Sequence, residues 1–247
     1  MRRLRGLAFN AAFYAVTVLF AVPSVALLAL PRGAMLGYAR LWVATVLWLL
    51  ARIAGVRHVV RGLDSLPAGP VIVAAKHQSA WDTLALYVVF GAPAIVVKRE
   101  LTWIPLFGWC LLRGGMLPVD RGGGGGALRR LVAAAREQAA AGRRILVFPQ
   151  GTRTPPGAAR PYQPGVAALY GALGLPVVPV ALDSGLFWPR RSMRFVPGTI
   201  EVEVLPAIAP GLDRRAFMAR LEAAIEPATA RLEAGAATGR EAPPGLS

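Results

Sequence analysis

The alternation of apolar and polar positions divides the chain into two unlike parts. Leu7 to Leu30 carry no charge and follow Met1-Arg2-Arg3-Leu4-Arg5. As a helix this run would extend roughly 36 Å, enough to cross a bilayer. A signal peptide would share the basic start. The run exceeds a signal core in length, however, and a second apolar stretch follows at once, which favours an anchor. That second stretch, Ala34 to Ala51, holds Arg40 and ends against Arg52, so it is weak as an independent span. Leu36, Leu41, Val43, Leu47 and Leu50 would give it one apolar face for a helix lying in the interface. From Val59 onward, short apolar runs alternate with helical stretches. The pattern predicts strands over Val71 to Ala75, Ala94 to Val97, Met116 to Val119, Ile145 to Phe148, Val177 to Leu182 and Thr199 to Leu205. It predicts helices over Thr83 to Phe90, Ala127 to Ala141, Gly165 to Leu173 and Arg214 to Leu232. Strands separated by helices indicate an α/β fold with a mostly parallel or mixed sheet. The last strand, Ile-Glu-Val-Glu-Val-Leu, alternates and is expected at a sheet edge with one wet face. The organisation expected is a membrane-associating helical hairpin (1–56), an α/β domain (57–234) and a disordered tail (235–247).

Composition sharpens the first part of that picture. Hydrophobic residues make up 55% of 247, and the net charge is +15. So basic a chain requires an anionic partner; the uncharged run points to an anionic membrane surface, and no nucleic-acid partner is expected. Arg2, Arg3 and Arg5 precede the apolar pair, and Arg52, Arg57 and Arg61 follow it. The positive-inside tendency then puts both the N-terminus and the following domain on the cytoplasmic face of the membrane. The single cysteine, Cys110, excludes an internal disulfide and sits in an apolar setting suited to an inert thiol. With His58 and His77 as the only histidines, nitrogen and sulfur ligands are too few for a metal centre, and no cofactor is expected.

Candidate chemistry lies at predicted strand ends. Lys76-His77-Gln78-Ser79-Ala80-Trp81-Asp82 follows the strand Val71 to Ala75. Five residues of continuous helix turn through about 500°, so His77 and Asp82 meet only if the histidine sits in a loop and the aspartate begins the next helix. Paired in that way, a carboxylate fixes the imidazole tautomer and leaves the other nitrogen free to accept a proton. Ser79-Ala-Trp-Asp82 equally fits a capping box, with Asp82 closing a helix N-terminus; both readings stand. Gly115-Met-Leu-Pro-Val-Asp120-Arg121 and Phe148-Pro-Gln150-Gly151-Thr152-Arg153 end two further strands. Arginine suits phosphate through its planar donor fork, and glycine permits close backbone approach. The five glycines from Gly122 to Gly126 lack a P-loop signature and read as a flexible connector. Ser79 and Ser184 have no Gly-x-Ser-x-Gly elbow, which disfavours a serine hydrolase.

The order of these motifs resembles the glycerolipid acyltransferase family, in particular the 1-acylglycerol-3-phosphate acyltransferases. Lys-His-Gln-Ser-Ala-Trp-Asp carries a His-x4-Asp motif, followed by Gly-Met-Leu-Pro-Val-Asp-Arg, Phe-Pro-Gln-Gly-Thr-Arg and Val177-Val-Pro-Val-Ala181. The resemblance covers about Val71 to Leu182. It implies that His77 deprotonates the sn-2 hydroxyl of a lysophospholipid, with Asp82 completing the relay. The hydroxyl would attack an acyl thioester, acyl-CoA or acyl-carrier protein, as co-substrate. Arg121, Arg153, Gly151 and Thr152 would hold the phosphate. Lys98 occupies a family-like position and reads as well as a solvated strand-end lysine. The localisation expected is the cytoplasmic face of a membrane, a bacterial inner membrane. The alternatives are another lysolipid acceptor, such as a lyso-ornithine lipid, or a non-enzymatic membrane-binding protein. The family usually has glutamate where this chain has Gln150. An amide keeps an acceptor, adds donors and loses the charge, so a position that acts by hydrogen bonding would tolerate it.

Overall fold

The structure, a computed structural model, describes residues 2–120, 122–190, 192 and 194–241. Two helices come first, α1 (Arg2–Leu27) and α2 (Arg32–Leu49), and a π-helical turn, Leu50–Ala54, continues α2. Polar side chains in α1 are satisfied within the helix: Asn10 Nδ2 donates to the Gly6 carbonyl (2.7 Å) and Thr17 Oγ1 to that of Phe13 (2.7 Å). Such local bonding lets a polar residue sit in apolar surroundings. Trp42 Nε1 donates to Thr17 Oγ1 (3.3 Å) and Tyr38 OH to the Phe20 carbonyl (3.1 Å), tying α2 to α1. Of the face expected to lie in the interface, Val43 and Leu50 are buried against the rest of the protein, Leu36 and Leu47 are partly so, and Leu41 points outward. Much of that face is therefore turned inward, onto the domain. Leu7, Val18, Leu19 and Val22 of α1 and Trp48 of α2 remain exposed.

Among the described residues, seven strands form one mixed sheet: β1 (Val56–Arg61), β2 (Ile72–Ala75), β3 (Ala94–Lys98), β4 (Leu117–Val119), β5 (Ile145–Val147), β6 (Val177–Leu182) and β7 (Gly198–Val204). Their spatial order is β1-β7-β6-β2-β5-β3-β4. Neighbours are parallel except β6 and β7, which pair antiparallel. The carboxyl ends of β2 to β6 consequently share one edge, where α/β sheets bind ligands. α3 (Ala80–Val89), α4 (Phe107–Arg113), α5 (Gly124–Ala140), α6 (Pro164–Leu173) and α7 (Arg214–Glu241) complete the fold. Alternate residues of β2 enter different cores. Val73 and Ala75 pack with α1, α2 and α3, whereas Ile72 and Ala74 pack with α5, α6 and α7. The result is three layers, helix on sheet on helix.

Several boundaries differ from expectation. β7 alternates in burial as read, but it lies one strand in from the edge, covered by β1. β1 gives no apolar signal because only Val56 is fully buried, and its charged residues suit an exposed edge. α4 also escapes detection: Phe107, Trp109 and Leu112 face outward, so the segment has no polar face to contrast with an apolar one. Gly124 to Gly126 form the first turn of α5 and are not a connector. α7 continues through Gly235 to Glu241, so the described part of the expected tail is helical.

Candidate active site

The strand-loop-helix boundary needed by His77 and Asp82 is present. β2 ends at Ala75, Ser79 caps α3, and Asp82 sits in the first turn. His77 Nδ1 lies 2.9 Å from Asp82 Oδ2. The same oxygen accepts the backbone N–H groups of Gln78 (2.7 Å) and Ser79 (2.8 Å), and Asp82 Oδ1 accepts Ser184 Oγ (2.5 Å). Asp82 is fully buried. The capping box and the His-Asp pair therefore coexist, since one carboxylate serves both. An acceptor at Nδ1 places the imidazole proton there, leaving Nε2 as the basic atom. Phe148 stacks on the imidazole with ring centroids 3.9 Å apart.

Ser79 and Ser184 are both buried inside this network. Ser79 Oγ accepts the Trp81 N–H (3.2 Å), and the Ser184 proton goes to Asp82. Neither hydroxyl is set against His77 as a nucleophile would be. No sequence motif pairs Ser184 with Asp82; its place directly beyond β6, at the ligand-binding edge, is the one signal of its role.

His77 lines a cavity of about 910 Å³ whose wall also includes Lys98, Gln150, Gly151, Thr152 and Arg153, with Arg160, Arg190 and Arg214 beyond them. Five of the expected residues are thus brought together with His77, and the three additional arginines come from segments without a motif. Arg121 lies outside the described residues. The loop after β5 is tied to the histidine by a backbone bond, Thr154 N–H to the His77 carbonyl (2.7 Å). Gly151 adopts φ +69°, a left-handed conformation that glycine takes without strain, and a side chain there would press on Gln163. Burial pushes the Arg153 guanidinium down from its ordinary pKa, the Asp82 carboxylate opposes that, and Arg190 adds to it. Lys98 pairs with Glu100 at 2.9 Å and is half exposed. Gln150 is almost fully buried; its Nε2 donates to Glu226 Oε1 (3.2 Å), on α7. No sequence signal marked Glu226.

A second cavity, about 370 Å³ and almost wholly apolar, lies between α1, α2, α3 and α4. It shares Thr83, Ile95, Val97 and Leu101 with the first, so the two adjoin across the β3 end. Among the described residues no group of three or more His, Cys, Asp or Glu side chains is arranged to hold a metal ion.

Comparison with known proteins agrees with this geometry. Residues 57–183 match the family described as Acyltransferase. A 1-acyl-sn-glycerol-3-phosphate acyltransferase of Pseudomonas aeruginosa is 37% identical over 167 residues, 68% of this chain. The match spans 65% of that relative's length, just under two thirds. The mouse 1-acyl-sn-glycerol-3-phosphate acyltransferase alpha is 31% identical over 81% of this chain and 72% of its own. The crystal structure of the 1-acyl-sn-glycerophosphate acyltransferase PlsC from Thermotoga maritima superimposes with a TM-score of 0.75 over 99% of this chain and all of that one, at 21% identity, and shares its fold. On the family match and the curated relatives together, the chain belongs to the acyltransferase family.

Proposed function

We propose that the protein transfers a fatty acyl group from acyl-CoA or acyl-carrier protein to the sn-2 hydroxyl of 1-acyl-glycerol-3-phosphate, forming phosphatidate for phospholipid synthesis. The observation that carries this reading is the buried Asp82 carboxylate on His77 Nδ1, at the wall of a cavity ringed with cations. His77 Nε2 takes the proton of the sn-2 hydroxyl as its oxygen attacks the thioester carbonyl. The new C–O bond forms, the C–S bond breaks, and the imidazolium returns the proton to the departing thiolate. Asp82 stabilises the imidazolium between those steps. Arg153, the Gly151 and Thr152 segment, and Arg121 bind the phosphate; Lys98 adds charge at the cavity mouth. The adjoining apolar cavity suits an acyl chain. The cationic wall favours a phosphorylated acceptor over a lyso-ornithine lipid.

We infer that the reaction takes place at the cytoplasmic face of a membrane, in a bacterium the inner one. Two helices, Arg3–Leu27 and Arg32–Ala54, are long and apolar enough to cross a bilayer. Exposed Trp103, Ile104, Phe107, Trp109 and Leu112, in and beside α4, extend the apolar surface of α1.

Purified protein in detergent, given labelled acyl-CoA and a panel of lysolipids that includes lyso-ornithine lipid, tests the reading. Lysophosphatidate should be the preferred acceptor and His77→Ala should abolish transfer. Full activity in His77→Ala, or preference for an acceptor without phosphate, would overturn it.

A further inference from the structure

The alternation of β2 continues past its end and splits the catalytic segment between two faces. His77 turns to Asp82 on α3. Its neighbours on either side, Lys76 and Gln78, turn to α7. The Lys76 ammonium, almost fully buried, lies 2.5 Å from Glu226 Oε2. Gln78 Nε2 donates to Glu233 Oε1 (2.6 Å), and Gln78 Oε1 accepts the Gly185 N–H (2.9 Å). Glu226 and Glu233 are seven residues apart, which returns to the same face of a helix after about two turns. Each carboxylate also reaches the segment following β5. Glu226 Oε1 accepts Tyr162 OH (2.7 Å) and Gln150 Nε2 (3.2 Å), and Glu233 Oε2 accepts the Gly157 N–H (2.9 Å). Burial, reinforced by Glu226, raises the Tyr162 phenol above its ordinary pKa, which keeps it a donor.

We propose that Glu226 and Glu233 are positioning residues: from the far side of the sheet they clamp the residues before and after His77 and so set the imidazole against Asp82. This rests on the reading of His77 as the base. An ion pair serving stability alone would have no reason to engage both neighbours of one histidine and the Gln150 loop through one helix face. A buried ammonium that loses its partner must shift or lose its proton, and the strand end carrying it moves with it. Removing both members of the pair relieves that demand.

The test uses the full chain in detergent with Glu226→Gln, Glu233→Gln, the double variant Lys76→Gln/Glu226→Gln, and Glu137→Gln, exposed on α5, as control. Two readouts are taken. One is kcat and KM for acyl transfer to lysophosphatidate. The other is the rate of diethylpyrocarbonate labelling at His77, read by mass spectrometry against exposed His58, the only other histidine. Glu226→Gln should lower kcat about 10- to 100-fold with KM within about twofold, as expected for a displaced catalytic group. Glu233→Gln should show the same split with a smaller fall. Labelling of His77 should rise at least about threefold in both, and the double variant should return both readouts towards wild type. Wild-type kcat and labelling in folded Glu226→Gln and Glu233→Gln would overturn the proposal, as would a loss confined to yield and Tm. An inactive wild-type protein would overturn the reading of His77 as base, while the labelling still decides whether α7 positions it.

Discussion

Asp82→Asn separates the two duties that one carboxylate performs. An asparagine oxygen in the place of Oδ2 can still accept the Gln78 and Ser79 N–H groups and the His77 Nδ1 proton, while its amide nitrogen turns to Ser184 Oγ, which can accept as readily as donate. The helix cap therefore survives, and the stability lost is the interaction of a negative charge with the α3 N-terminus, about 1–2 kcal/mol at a buried site. The imidazolium loses far more. Two unit charges 2.9 Å apart interact by about 6 kcal/mol at an effective dielectric of about 20. A neutral hydrogen bond retains about half the strength of a charge-assisted one, which leaves a loss of about 3 kcal/mol. In a step that forms the imidazolium this corresponds to about a 100-fold lower kcat. Asp82→Ala should behave differently, since it orphans the buried Gln78 and Ser79 N–H groups at about 1–3 kcal/mol each, the second of them being its half of the capping box. The assay is the initial rate at saturating acyl-CoA and lysophosphatidate, normalised to monodisperse protein, with Tm measured in parallel. Asp82→Asn with near-native Tm and kcat within about threefold of wild type would show that the aspartate is a helix cap and no more.

Three further outcomes are expected. Arg153→Ala should raise KM for lysophosphatidate at least about tenfold by removing a fork of phosphate donors, with a smaller effect on a lysolipid lacking phosphate; equal effects on the two would refute phosphate binding by this residue. Gln150→Glu sets a second carboxylate about 3.2 Å from Glu226 Oε1, a like-charge contact offset in part by the Lys76 ammonium on the other Glu226 oxygen. The kcat of this variant should change by less than about tenfold, since the position acts by hydrogen bonding, and a larger gain would show that charge at 150 matters. Gly114→Leu should project into the apolar cavity that Gly114 lines, its Cβ 3.1 Å from the Cys110 carbonyl oxygen and 3.6 Å from Met116 Cε, and shift donor preference to shorter acyl-CoA chains; an unchanged chain-length profile would place the acyl chain elsewhere.

Of the six strands that show in the sequence, five bury a continuous apolar run or one alternating face, and β4 buries Leu117 alone. β1 and α4 lie where that contrast disappears, one on a wet sheet edge and the other with its large apolar residues turned outward. The site is legible to the extent that its chemistry is local. His77, Gln150, Gly151, Thr152 and Arg153 fall beside strands that the pattern identifies, and the parallel order brings those strand ends to one edge. Ser184, Glu226 and Glu233 reach the site from sequence separations that periodicity cannot bridge. Ser184 stands 102 residues from Asp82, and Glu226 stands 150 from Lys76.

The local ambiguity at Asp82 has a physical resolution rather than a statistical one. A carboxylate has two oxygens and about four acceptor sites, so capping α3 leaves room for the imidazole and for Ser184. The cap also does something for the pair. By holding Oδ2 with two backbone donors, it fixes the one oxygen that His77 meets before any proton moves. α7 bonds from the other face to the side chains flanking His77. His77 is thus held by its own helix in front and, through its neighbours, by a distant helix behind. Short spacing in the sequence could reveal only the first of these, because the second depends on the sheet that separates them.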